Sequence, residues 1–270
     1  MIGWMNIDDA TTALPAGMTV HLPDTTGGGD DQDMEWCVLE TDAGRRRIRF
    51  HDYAEVYDVP GLYEHLFYER LRCTSPAVVR GALESVVDGR DMDPAELLVL
   101  DVGAGNGMVG EELDEMGVGS VVGLDILEEA AAAAERDRPG VYADYHVADL
   151  TDPEPDIHAT LAEAGFNCLT SVAALGFGDI PPEAFAQAFD YVADHGLVAF
   201  TIKERFLRGE ADDSGFSHLI RGLFDAGAMQ PLVERRYAHR LSVAGEPLHY
   251  VAYVAEKRGE STDVPELARL

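Results

Sequence analysis

Apolar positions keep no period over the first 35 residues, which are rich in Asp, Gly and Thr and carry Gly27-Gly28-Gly29-Asp30-Asp31 at their centre. This composition predicts a flexible acidic arm. Trp36 to Phe50 has weak strand character. The aromatic-rich runs His51–Tyr57 and Leu62–Tyr68, split by Pro60-Gly61, predict two short helices. Ser75-Pro76 predicts the start of a helix reaching about Val87, with serine as cap and proline in the first turn. Beyond it, short apolar runs alternate with helical spacing. The strands fall at about 97–102, 120–125, 144–148, 167–173 and 197–203, with helices between them such as Glu128–Arg136 and Pro182–Ala193. That alternation predicts an α/β fold with a doubly wound, mostly parallel sheet and helices on both faces. The rhythm then changes to period two at Val233, Arg235, Tyr237, His239, Leu241 and Val243. A turn at Gly245-Glu246-Pro247 leads to a second alternating run from Leu248 to Lys257. This predicts an antiparallel C-terminal hairpin. The expected organisation is an arm (1–35), an N-terminal helical cap (36–90), one α/β domain (91–258) and a frayed tail (259–270).

Hydrophobic residues make up 46% of the 270, enough for a sizeable core without staples. Cys37, Cys73 and Cys168 match no metal or disulfide spacing, so reduced thiols in a cytoplasmic protein without a metal are expected. No run has the roughly 18 apolar residues that span a bilayer, and no membrane association is expected. The formal net charge is −30, from 50 acids against 20 bases. Such a surface repels polyphosphate chains and disfavours a nucleic-acid partner. Only Lys203 and Lys257 are lysines, which fits either a high-salt source or GC-rich coding.

The chemistry-bearing stretch is Leu97–Gly107, LLVLDVGAGNG. Four apolar residues read as a strand covered on both faces. Asp101 follows, and then glycines at alternate positions that let the backbone approach a ligand. A helix is expected from about Gly107, stopping at Gly117. Gly105-Asn106-Gly107-Met108-Val109-Gly110 also fits the dinucleotide fingerprint, so two cofactors compete. An acid just before the glycines sits badly beside a pyrophosphate. It suits S-adenosylmethionine (SAM), which carries a sulfonium and an amino group and no phosphate, and charge favours SAM. In open α/β sheets ligands bind at the carboxyl ends of the strands. Asp101, Asp125 and Asp149 stand at three such ends, in order behind the glycine turn. One strand-end acid is ordinarily a loop or cap residue. A set of three in order is not.

On these residues the chain, from about 51 to 258, resembles the class I SAM-dependent methyltransferases. The resemblance implies a seven-stranded sheet whose core strands run 3-2-1-4-5-7-6. It implies that Asp101, Gly103, Ala104, Gly105, Asn106 and Gly107 face the methionine part of SAM, that Asp125 with Ile126 takes the ribose, and that Asp149 with Leu150 takes the adenine. Val172 completes the expected cofactor set. Ser171–Pro182, Gly196–Glu204 and Arg236-Tyr237 are further similar to the Williams-Beuren-region methyltransferase-like group. The Asn/Asp-Pro-Pro-Tyr/Phe motif of enzymes that methylate nucleic-acid amines is absent; Ala173–Gly176 stands in its place.

Methyl transfer requires an aligned acceptor and excluded water. Tyr53, Tyr57, Tyr63, Phe177 and Lys203 are the expected acceptor-binding residues, with His51, His65 and Asp179 as further candidates. Glu204, His239 and Tyr57 are the candidate catalytic groups. Each also has a purely structural reading, as a cover for the sheet end, a surface group or a packed strand residue. The expected activity is methyl transfer to a small-molecule oxygen or nitrogen nucleophile. The alternatives are a protein or RNA acceptor, a SAM-binding protein without turnover, and a nicotinamide-dependent oxidoreductase.

Overall fold

The computed structural model of the protein describes residues 14–23, 34–176, 180–207 and 215–261. The described residues form two sheets. The larger has seven strands: β4 (Leu98–Val102), β5 (Ser120–Asp125), β6 (Asp144–Val147), β7 (Cys168–Ser171), β8 (Leu197–Lys203), β9 (Met229–Leu241) and β10 (Pro247–Lys257). Their order is β6-β5-β4-β7-β8-β10-β9. This is the 3-2-1-4-5-7-6 arrangement anticipated, with β4 as the first core strand. β4 to β8 pair in parallel, while β10 runs antiparallel to both β8 and β9. The order reverses between β4 and β7, the position at which such sheets bind ligands.

Both faces of the large sheet are covered. One carries α6 (Pro155–Glu163), α7 (Pro182–Asp190) and α9 (Phe216–Asp225), whose Leu161, Phe185, Phe189, Leu219 and Leu223 pack on Leu100, Leu169, Phe200 and Tyr253. The other carries α3 (Ser75–Gly89) and α4 (Met108–Met116). There Leu83, Val87, Val109 and Leu113 meet Val99, Val121, Ala199 and Ala252. Burial on both faces explains why Leu197–Phe200 of β8 reads as a continuous apolar run. α3 thus belongs to the large sheet's packing, although the sequence places it within the cap segment. No described helix is long and apolar enough to cross a membrane.

The smaller sheet joins β1 (Thr19–His21), β2 (Trp36–Thr41) and β3 (Gly44–Arg49) in antiparallel order. β1 falls inside the expected acidic arm, so that stretch is structured over Thr19–His21. Residues 1–13 and 24–33 of the arm lie outside the described residues, as do 262–270 of the tail. The inner face of this sheet, Val20, Cys37, Leu39 and Ile48, packs on α1 (Tyr53–Tyr57), α2 (Leu62–Glu64) and the π-helical turn His65–Arg70. The two short helices flanking Pro60-Gly61 are therefore present, and they share a core with the small sheet. This unit is anchored to β9, where the Thr74 amide donates to the His239 carbonyl (2.9 Å) and the Leu241 amide to the Leu71 carbonyl (2.7 Å).

β7 ends at Ser171, two residues short of the expected 173, because Ala173 adopts φ +57° and turns the chain away. β9 begins at Met229, four residues before the expected Val233. Its Pro231 lies beside a register shift between Val254 and Ala255, a place where a strand tolerates a residue with no amide to donate.

Candidate functional site

The glycine turn between β4 and α4 is held from three directions. Gly105 has φ +55°, and a Cβ there would run into the Tyr57 hydroxyl of α1. The Gly105 amide donates to Asp125 Oδ2 (3.0 Å), and its carbonyl accepts from the Tyr145 hydroxyl (2.8 Å). Asp125 Oδ1 also accepts the Leu127 amide (3.1 Å), ahead of α5 (Glu128–Asp137). Gly110 is explained by packing. A Cβ at this position would sit 2.8 Å from Tyr142 Cζ, so the final glycine of the dinucleotide-like pattern makes room for an aromatic ring.

Asp101 lies beneath the turn and is 1% exposed. It accepts from the Thr170 hydroxyl (2.6 Å) and the Tyr142 hydroxyl (2.8 Å). Burial raises its pKa to about 6 against the pull of these two bonds, and the nearby Asp125 charge adds to the rise. Asn106 points the other way. Its Nδ2 donates to Glu64 Oε1 (2.6 Å), which also accepts from Arg138 Nη1 (2.7 Å). Arg138 further donates to the Asn106 carbonyl (3.1 Å) and to Glu111 Oε2 (2.9 Å). Glu64 and Arg138 are both buried, so an ion pair clamps the cap onto the turn. Glu64, Arg138, Tyr142 and Tyr145 were not anticipated as site residues. The only signal was a glutamate among aromatics.

Above the strand ends lies an outer chamber of about 600 Å³. Gly103, Asp125, Ile126, Val172, Ala173 and Ala174 form its floor, and Tyr53, Tyr57, Tyr63 and His51 come from the cap. Ile126 is 58% exposed, unusual for a large aliphatic side chain. A slot of about 40 Å³ continues over the same Gly103, Asp125 and Ile126 to Asp149, Leu150 and Pro181. Asp149 is exposed, and its carboxyl is held below the usual range by the Thr151 hydroxyl and amide (2.7 and 2.8 Å).

On the opposite side an inner chamber of about 40 Å³ shares His51, Tyr53, Tyr63 and Ala173 with the outer one. Its remaining wall includes Phe50, Phe67, Tyr250, His239 and Arg240. His239 Nδ1 shares a hydrogen bond with Ser75 Oγ (2.7 Å), which meets the Tyr237 hydroxyl (2.6 Å). Tyr237 is bonded in turn to Thr201, whose hydroxyl accepts the Ala173 amide (2.7 Å). Burial, Arg240 and Lys203 together hold the His239 imidazole well below its ordinary pKa, and it is neutral.

The structure therefore brings together Asp125, Ile126, Val172, Tyr53, Tyr57, Tyr63 and His51, with Asp149 and Leu150 at one end and His239 at the other. Lys203 is buried and acts on His239 through its charge. Glu204 does not join the group. It opens α8 (Glu204–Leu207), accepts from Arg236 Nε (2.8 Å) and lines a separate cleft with Phe224 and Tyr253. His65 pairs with Glu69 (2.7 Å) away from the chambers. Phe177 and Asp179 lie outside the described residues.

Residues 99–196 match the family model of a methyltransferase domain. No curated protein matches the chain. Among solved structures, a Pyrococcus horikoshii protein provisionally assigned as an RNA methyltransferase is 12% identical. That similarity covers 68% of this chain and 81% of that one, with a TM-score of 0.50. An N-methyltransferase from Bradyrhizobium japonicum with bound S-adenosyl-L-homocysteine is 12% identical (66% and 85% covered, TM-score 0.48). The magnesium protoporphyrin IX methyltransferase from Synechocystis with bound SAM is 14% identical (67% and 79% covered, TM-score 0.47). At these identities the structural likeness is one of fold. Residues 99–196 thus match a methyltransferase domain, set in a seven-stranded, mostly parallel sheet that ends in an antiparallel hairpin.

Proposed function

We propose that the outer chamber and its slot hold SAM and that the enzyme methylates a small molecule delivered under the aromatic cap. The donor set fits the cofactor. Asp125 has two carboxylate oxygens within reach of vicinal hydroxyls, Ile126 offers an apolar face, and Asp149 stands where an exocyclic amine would be met. Among the described residues no Lys or Arg lines the outer chamber, while Asp125 does, and Asp52 and Glu55 at its edge are paired with Arg49 and Arg46 of β3. That balance suits a sulfonium and an ammonium and is wrong for a pyrophosphate. Bound SAM supplies a methyl group activated on a positive sulfur. The chain's part is to position and to exclude water. The glycine turn, fixed by Asp125, Tyr145 and Tyr57, holds one side of the chamber. The Glu64–Arg138 clamp keeps the cap closed over it.

The observation that carries the small-molecule reading is the size and cover of the chamber. About 600 Å³ lies within the range of small-ligand sites. The most basic strand, β3, is largely matched with acid. Arg45 pairs with Glu40 (2.8 Å), Arg46 with Glu55 (3.4 Å) and Arg49 with Asp52 (3.9 Å), while Arg47 stacks on Trp36. These pairs reduce its attraction for a polyanion. Incubation of the intact chain with SAM and pooled small hydroxyl and amine compounds tests the reading. S-adenosylhomocysteine release with a compound, but not with RNA or protein extracts, is expected. Release with RNA or protein alone would overturn the small-molecule assignment.

A further inference from the structure

The two joined chambers differ in charge. The outer one is edged by Asp52, Glu55 and Asp125. The described residues lining the inner one include no carboxylate; its polar groups are His51, Cys73, His239, Arg240 and tyrosine hydroxyls. Arg240 is 5% exposed and is paired with Glu35 (2.5 Å), which faces it from before β2. Lys203, 6% exposed, approaches His239 from the end of β8. The remaining polar neighbours of the imidazole are Ser75 on α3 and Cys73 (3.8 Å), with the Tyr250 ring 4.2 Å away, centroid to centroid.

From this placement we infer that the acceptor is a weakly acidic hydroxyl compound, a phenol or an enol, whose oxygen enters the inner chamber and reacts as the anion. The inference rests on the SAM-dependent reading above. Aromatic walls at Phe50, Tyr53, Tyr63, Phe67 and Tyr250 suit a planar ring. The chamber's 40 Å³ accommodates a hydroxyl and the edge of a ring, so the body of the acceptor stays in the outer chamber. Buried Arg240 and Lys203 favour an anion at His239 and oppose a protonated amine. Burial, together with the same cations, makes His239 a poor proton acceptor. It serves as a hydrogen-bond partner of the oxygen rather than as the base. The hydroxyl proton leaves to solvent, and the O–CH3 bond forms as the S–CH3 bond breaks. The bonding pair stays on sulfur, so the sulfonium becomes a neutral thioether.

The test uses the intact chain with S-adenosylhomocysteine bound, its binding checked by calorimetry, and 4-nitrophenol as a coloured probe. Below the free probe's pKa, added protein should increase the phenolate band and raise the probe's ionisation constant about tenfold or more. With SAM, mass spectrometry should find 4-nitroanisole. Benzylamine under the same conditions should remain unmethylated. Lys203→Met should reduce the phenolate shift and Lys203→Arg should keep most of it. If Lys203→Met fails to fold, the phenol–amine comparison on the wild-type chain decides. Bound S-adenosylhomocysteine with no phenolate shift, or methylation of benzylamine in preference to 4-nitrophenol, overturns the inference and leaves the cofactor reading intact. Failure to bind S-adenosylhomocysteine or SAM overturns the cofactor reading itself.

Discussion

The Gly105 amide donates to Asp125 Oδ2 across 3.0 Å, so one carboxylate at the end of β5 both closes the glycine turn and borders the outer chamber. Asp125→Ala removes an acceptor of two backbone amides, those of Gly105 and Leu127. It also removes the proposed partner of the ribose hydroxyls. SAM affinity should fall by about 1–3 kcal/mol, read by calorimetry. An unchanged affinity would remove Asp125 from the cofactor site.

Gly105→Ala forces an L-residue into φ +55° and drives a methyl into the Tyr57 hydroxyl. The backbone strain alone costs about 1–2 kcal/mol. Thermal unfolding should show a lower Tm for Gly105→Ala. Adding Tyr57→Phe should recover part of the loss, because the clash is relieved and the strain is not. A double mutant that recovers nothing would show that the two residues do not meet.

The Glu64–Arg138 pair predicts a different response. Both side chains are buried, and Arg138 would keep only the more exposed Glu111 as an ion-pair partner after Glu64→Ala. Breaking a buried pair from one side costs about 3–5 kcal/mol. Urea unfolding should show a loss of that order. SAM binding should weaken as well, because Asn106 in the glycine turn loses its anchor. A loss confined to stability would mean that the clamp does not govern the turn.

Asp101 gives a pH signature. Its folded pKa is about 6 against an ordinary 3.8. Below about pH 4 the group is protonated in both states and contributes no penalty. Between about 4 and 6 the folded state holds a proton that the unfolded chain releases, so stability falls as pH rises. Above 6 both states are ionised, and the penalty stays near 3 kcal/mol. Asp101→Asn should therefore gain stability relative to wild type as pH rises through 4–6 and then level off, measured by urea unfolding at stepped pH. A pH-independent difference would contradict the raised pKa.

The parallel sheet and the carboxylates at its strand ends were legible because burial on both faces leaves strong local marks. Leu97–Leu100 is an unbroken apolar run, and Asp101, Asp125 and Asp149 each stand where such a run stops. The hairpin at Val233–Lys257 was legible from its period-two pattern. β1 was not, since three residues among Asp, Gly and Thr carry no period, and their order comes from pairing with Trp36–Thr41. The clamp was equally hidden. Glu64 and Arg138 lie 74 positions apart, and only the folding of the cap, with Glu64 at the end of α2, brings them together. The difference between the chambers depends on Arg240 and Lys203, which arrive from separate strands.

Whether the glycine turn and its carboxylates form a SAM site is decided by calorimetric titration of the intact chain with SAM, and separately with NADH. Saturable binding of one SAM per chain is expected, weakened in Asp125→Ala, with no binding of NADH. A folded chain that takes up NADH in preference to SAM, or that binds no SAM at all, would contradict that assignment.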